Sequence, residues 1–415
     1  MLGNTITRLV LVALLCGMTL MVGCGKSSKK RSAEIEVEPT EQMTEPNEQP
    51  ASTETVQSTG VESKPDQPKD NQAAGTAVEE KKGATADAQW QQTVPVVVGP
   101  PATNGPKPEA RKAAVKLALK FSAGDSANYR VIMESEKSVS WEGPASTKPA
   151  NFTGGHTGNR VEMAFGQQIQ SVGDNGNATA KITITSVKYR ARVKDNVVLD
   201  YDSSRQTDKD SPMARLIGQS YTIELTRWGE VANVVDIAAA TAAASGESPA
   251  DKAAQALLSP TMVKERHTIP ALPAGDSNDF SAGDDWNSAK AFNFGMMGAK
   301  AYDRVYRLKE IQSAGERQIA VAEMSAVPSV EQAQQLYKEQ TSGAFSRLFD
   351  NTETYTGRLK LDVTSGRISE YYEQLKCEWI AVDPDYGQSA DGNKNEKPNA
   401  LRMAATRLYH IEKVD

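Results

Sequence analysis

The 415-residue chain has three histidines and three cysteines, the side chains best suited to metal binding, proton transfer or nucleophilic attack. Such work needs partners: further ligands for a metal, a base or an electropositive setting for a thiol. His156 lies in the glycine-rich run Thr153-Gly154-Gly155-His156-Thr157-Gly158, His267 follows a helical segment, and His410 belongs to the final strand. None stands at metal-ligand spacing from a cysteine, another histidine or a carboxylate. His156 therefore reads as a solvated loop residue and His410 as a half-buried strand residue. Cys377 shares a strand face with Leu375 and Trp379, which makes it a small buried hydrophobe rather than a reactive thiol. Two acidic loops offer oxygen ligands of the kind calcium takes: Asp276-Ser277-Asn278-Asp279 running on to Asp284-Asp285, and Asp383-Pro384-Asp385 with Asp391 to Glu396. Neither has EF-hand spacing, and Asp, Asn and Gly are ordinary turn residues. No Gly-x-Ser-x-Gly elbow or phosphate-binding loop is present, so no catalytic residue, metal or cofactor is expected. That leaves the thiol of Cys24, preceded by Met21-Val22-Gly23. A sulfur flanked by small residues is open to approach and can accept an acyl group.

The elements around Cys24 suit that chemistry. Residues 1–8 carry one charge, Arg8, and Leu9 to Leu20 is apolar but too short to cross a bilayer of about 30 Å. The run Met21-Val22-Gly23-Cys24-Gly25 resembles the lipobox of bacterial lipoproteins, with Met21 in place of the preferred Leu and Leu20 one position earlier. The resemblance implies cleavage between Gly23 and Cys24, palmitate or a related acyl group on Cys24, and a lipid membrane as partner. Two acyl chains hold a protein on a bilayer stably. It also implies a cell-envelope location, on the periplasmic face or at the outer membrane; Gly25 favours the outer membrane where sorting resembles that of enteric bacteria. Removing residues 1–23 takes the formal charge from −6 to −7, which disfavours nucleic acid as a partner. Cys16 leaves with the cleaved segment, so Cys377 has no intramolecular disulfide partner. The cluster Lys26 to Arg31 could touch anionic headgroups or be plain solvated linker.

From Ser32 to about Ala110, Glu, Pro, Thr, Gln, Ser and Ala dominate and no apolar period of 2 or 3.6 is found. Such a segment cannot bury enough apolar area to offset its ordering entropy, so residues 24–110 are expected to be a disordered tether. Roughly 80 flexible residues would span on the order of 50 Å root-mean-square. The run Val94 to Pro101 reads as an extended lead-in to the fold, with a peptide-like docking motif as the alternative.

After Ala110 the period becomes 2, which is the mark of strands with one buried face. Leu117, Leu119 and Phe121, a turn at Ser122 to Asp125, and Tyr129, Val131 and Met133 predict a hairpin. Val161, Met163 and Phe165 predict a strand, and Asp174-Asn175-Gly176-Asn177 a turn into a long strand whose alternation slips at Thr185–Ser186, predicting a β-bulge. Tyr221 to Leu225, the turn at Trp228-Gly229 and Val231 to Val235 form a further pair. Ser248-Pro249, with Asp251 in the first turn, opens a helix that stops before Pro260. Beyond Pro270 to Asp276, paired strands are expected over Tyr302–Ile311 and Arg317–Ala326, then a capped helix from Ser329 to near Thr341, and strands at Leu359–Val363, Ile368–Val382 and Leu401–Val414. The expected fold is mainly β: antiparallel sheets in two similar units with a few short helices, behind a tether. Its boundaries are 1–23 (signal peptide), 24–110 (tether), 111–240 (first β unit), 241–270 (helical connector) and 271–415 (second β unit).

Leu119-Lys120-Phe121-Ser122-Ala123-Gly124-Asp125, Tyr201-Asp202-Ser203, the Tyr221 to Val235 hairpin and Tyr355-Thr356-Gly357-Arg358-Leu359 together resemble an uncharacterised family of β-rich bacterial envelope lipoproteins. That likeness implies a fold and no catalytic residues. The leading expectation is a membrane-anchored, non-enzymatic interaction or structural domain with another envelope protein as partner. The alternative is a carrier or sensor of an apolar, lipid-like ligand. A cell-wall hydrolase working through acidic residues alone comes third.

Overall fold

The computed structural model describes the backbone of Glu36–Val37 and residues 114–275, 279–329, 348–382 and 399–415. Gly23, Cys24, the Ser329–Thr341 helix beyond its first residue, Asp276 to Asn278 of the first acidic loop, and the second acidic loop from Asp383 to Glu396 fall outside them. Among the described residues fifteen strands form in chain order: β1 (Glu36–Val37), β2 (Ala114–Lys116), β3 (Ser126–Glu142), β4 (Gly155–Val172), β5 (Ala178–Val193), β6 (Asn196–Asp202), β7 (Ser220–Leu225), β8 (Val231–Asp236), β9 (Asp279–Ser281), β10 (Asp285–Asn293), β11 (Ala299–Ala314), β12 (Arg317–Pro328), β13 (Asp350–Asp362), β14 (Arg367–Val382) and β15 (Ala400–Val414). Three short helices, α1 (Ala238–Ala243), α2 (Pro249–Leu257) and α3 (Pro260–His267), sit between β8 and β9.

Two meanders, β3-β4-β5-β7-β8 and β10 to β15, join edge to edge through an antiparallel ladder between β15 and β3. The result is a mainly antiparallel sheet of thirteen strands, with β6 paired to the end of β5 and β1 lying parallel along β10. Apart from β2 and β9, which pair with each other in a separate two-stranded sheet, the strands of both expected β units thus share one sheet.

Local chemistry explains most element ends. Thr185 is the extra residue of a bulge, since Ala164 faces Ser186 while Phe165 faces Ile184. Lys194 and Asp195 take positive φ (49° and 68°), the two-residue turn that matches strand twist in a hairpin. α2 carries a full capping box between Ser248 and Asp251. Pro260 does end that helix, but it also opens α3, with Ser259 as N-cap, so the connector holds more helix than the sequence suggested.

One expected hairpin is absent. Residues 117–125 are not a strand against β3. The Leu119 amide donates to Arg227 O (2.8 Å) and the Lys120 amide to Gly366 O (3.0 Å), so this segment crosses the end of the sheet and ties a turn from each meander. Leu117 is buried and Leu119 and Phe121 are partly buried there; the alternation reflected a plugging segment, not a ladder. Gly366 (φ +66°) is required, because a Cβ would lie 2.4 Å from the Lys120 nitrogen.

The two inner faces differ. Under β3–β8 the core is largely apolar, with Met163, Phe165, Ile182, Ile184 and Ile223 buried together with Met213, Leu216, Leu258 and Val263, and Arg266 and His267 as buried exceptions. The β10–β15 part curls until strands three and four apart touch: Phe292 on β10 meets Tyr355 on β13 at 5.6 Å between centroids, and Lys290 on β10 reaches Glu373 on β14. A flat sheet would hold β10 and β14 about 19 Å apart.

Candidate functional site

Two clusters of charged side chains stand out, one on each face of the sheet. The first lies inside the curl. Strand parity fixes it: Trp286, Lys290 and Phe292 point inward from β10, and Tyr371, Glu373, Leu375 and Cys377 from β14. Glu373 Oε1 accepts from Lys290 Nζ (3.1 Å). Its Oε2 accepts from Arg304 Nη1 (3.3 Å), Tyr355 OH (2.8 Å) and Tyr371 OH (2.7 Å). Since the Tyr371 proton goes to the carboxylate, Tyr306 OH donates to Tyr371 at 3.3 Å. Burial alone would raise the Glu373 carboxyl, but Lys290, Arg304 and the two hydroxyls overcome it and hold it at about 2. A second carboxylate, Glu353, accepts from Lys300 Nζ (2.6 Å) and Tyr302 OH (2.8 Å), and Tyr302 in turn touches Cys377 Sγ at 3.5 Å.

A smaller buried group joins the helices to the sheet. Arg266 donates to Leu257 O and to Tyr221 OH (both 3.0 Å), and Tyr409 OH on β15 donates to Arg266 O (2.8 Å). With the Tyr221 oxygen accepting from Arg266, its proton points to His267 Nε2 at 2.7 Å. Burial, with the adjacent Arg266 charge, holds His267 well below the usual histidine range, so it is a neutral acceptor.

The second cluster is a transverse row on the outer face. Following the pairing from strand to strand gives Asp285, Arg307, Glu323, Arg358, Tyr372, His410, Ile132, Glu162, Lys188 and Asp202, each directly opposite the next across β10 to β15, then β3 to β6. Charge alternates along both arms around the uncharged centre formed by Tyr372 and Ile132. Opposite charges set across strands each contribute roughly 0.2–1 kcal/mol. Arg307 grips Asp285 through Nε and Nη2 (both 2.7 Å), Lys309 pairs with Glu323 (3.1 Å), Arg358 with Glu370 (2.8 Å) and Lys188 with Glu162 (3.2 Å). The side chains stay accessible: Arg307, Glu323 and Arg358 are 60%, 61% and 47% exposed. From Asp285 to His410 the row lines a groove of about 860 Å³.

The residues singled out in the sequence fall as follows. Cys377 is buried between Leu375 and Trp379, as expected. His410 is half-buried, 3.6 Å from Glu370. His156 is exposed but belongs to β4 rather than a loop, with Nδ1 2.7 Å from Asp195 Oδ1; its glycines allow close strand approach. In the first acidic loop Asp285 is committed to Arg307, and Asp284 accepts from the Ser281 amide. Among the described residues no group of three or more His, Cys, Asp or Glu is placed to hold a metal. Glu373, Lys290, Arg304 and the outer row were missed. A charged residue at a core-facing position of an alternating strand was the available signal for the first three.

No family model matches the chain, and no curated protein matches it. Among solved structures, one of lipid–protein interactions in lipovitellin aligns with a TM-score of 0.34 and 10% identity over 71% of this chain and 26% of that one. DynF from the dynemicin biosynthesis pathway of Micromonospora chersina aligns with a TM-score of 0.15 and 8% identity over 76% and 94%. This chain therefore spans about a quarter of the lipovitellin chain. Likenesses at these scores carry no argument about what the chain does.

Proposed function

We propose that this chain is a lipid-anchored cell-envelope protein, acylated on Cys24, whose folded part acts through its surface as a non-enzymatic interaction module. Anchoring is supported by the Met21 to Gly25 run behind the apolar Leu9 to Leu20. The observation that carries surface action over ligand carriage is the contrast between a tightly packed space beneath the crossing segment and an open groove on the outer face. Beneath the crossing segment, the cavity walled by Phe121, Tyr129, Phe165, His267, Ile269 and Ile411 has only about 50 Å³ of free volume. Small-molecule sites usually need about 300–1,000 Å³. The larger concavity is the open, charged groove, which suits a polar partner rather than an acyl chain.

Two measurements test this reading. With labelled palmitate, the natural chain becomes labelled and fractionates with membranes, whereas Cys24→Ser does neither; a labelled or membrane-bound Cys24→Ser chain overturns the anchoring. Native mass spectrometry of the Cys24→Ser chain shows the unadorned polypeptide mass. Reproducible co-purified lipid overturns surface action in favour of a carrier.

A further inference from the structure

The outer row has a property that its separate ion pairs do not. Counting outward from His410, one arm reads Tyr372, Arg358, Glu323, Arg307; the other reads Ile132, Glu162, Lys188, Asp202. Laid against each other, the arms place an aromatic ring on an aliphatic side chain, then plus on minus, minus on plus, and plus on minus. A two-fold axis through His410, in the plane of contact and along the strands, brings about that alignment between two copies. A register slip of one strand would oppose like charges.

We propose that a second copy of this chain docks on this face, the two related by that axis, with Arg358 meeting Glu162, Glu323 meeting Lys188 and Arg307 meeting Asp202 of the other copy. Each contact then occurs twice, as an isologous interface requires. The groove runs along the Asp285 to His410 arm and receives the Ile132 to Asp202 arm of its mate. The charged members retain free acceptor and donor capacity, because each in-chain pair uses one side of the group: Arg358 gives Nη2 to Glu370, and Lys188 gives one of three protons to Glu162. Length is adequate as well. Followed along the curved face, nine strand spacings make a path of about 43 Å, and a band of that path about 20 Å wide offers on the order of 800 Å² per copy, the usual size for a specific interface. The proposal names the partner for the surface role above and rests on that reading, but not on the acylation.

The test uses the mature chain with Cys24→Ser and all other residues retained, followed by sedimentation equilibrium. The expected result is a monomer–dimer equilibrium at about 50 mM salt that weakens at least tenfold at about 0.5 M, since exposed charges are screened beyond a few ångströms there. Arg358→Glu alone and Glu162→Arg alone each weaken association at least tenfold. The double variant returns to within about threefold of the starting value, because both symmetric contacts are restored with reversed sign. Both sites are on the outer face, and circular dichroism verifies folding. His410→Cys in the same chain links to itself through a bis-maleimide of about 10 Å span, while Val198→Cys, exposed on β6 four residues from Asp202, does not; buried Cys377 stays unmodified. A chain that remains monomeric at about 100 µM in low salt, a double variant no better than the singles, or equal cross-linking at positions 410 and 198 overturns the proposal. Dimers from a chain that takes no palmitate would leave this pairing standing and remove the anchor.

Discussion

The two faces of this sheet use the same charged residue types in opposite ways. On the inner face one carboxylate, Glu373, collects four donors from β10, β11, β13 and β14, so every member is committed to holding the curl. On the outer face charges are spread across the strands in small surface pairs, and Arg307, Glu323, Arg358 and Lys188 keep about half or more of their side-chain surface in water. A desolvated charge without its counter-ion costs several kcal/mol, whereas an exposed pair contributes about 0–1 kcal/mol. The inner cluster therefore specifies the fold, and the outer row is free to specify a partner.

That contrast can be broken most sharply at Glu373. Glu373→Gln leaves Lys290 and Arg304 buried without their carboxylate and lowers unfolding free energy by about 3–5 kcal/mol, read from urea midpoints. The natural chain reports the same linkage through pH. A carboxyl at about 2 when folded, against 4.5 ordinarily, contributes stability that is complete above pH 4.5 and is lost as pH falls towards 2. Glu373→Gln flattens that acid limb; an unchanged limb would mean other carboxylates govern it. Next in size is Tyr221→Phe, which removes the hydroxyl shared by Arg266 and His267 and costs about 1–3 kcal/mol. The smallest change belongs to the outer face: Arg358→Ala shifts the unfolding free energy of the monomer by under about 1 kcal/mol. A shift as large as that of Glu373→Gln would erase the distinction between the faces.

Much of the fold was legible because strand parity and turn chemistry are local. The bulge at Thr185, the Trp228-Gly229 turn, the Ser248 cap and the last strand all follow from neighbouring residues. Where non-local contacts decide, the reading failed. Leu117, Leu119 and Phe121 alternate like a strand, yet the Leu119 and Lys120 amides bond to turns more than 100 residues away. β10 was not foreseen, because Lys290 and Ser288 interrupt its apolar alternation and only the curl supplies Glu373 as a partner. The outer row was invisible for a further reason. Its ten members are scattered from residue 132 to residue 410, and nothing short of the full set of pairings lines them up.

The crossing segment has a mechanical consequence. A pull applied to the chain just ahead of Ala114 reaches the pairing of Ala114–Lys116 with β9 first and then the bonds from Leu119 and Lys120 to the turns of the two meanders. Because those bonds hold one turn of each meander, a load entering there is shared between the two instead of peeling one ladder rung by rung.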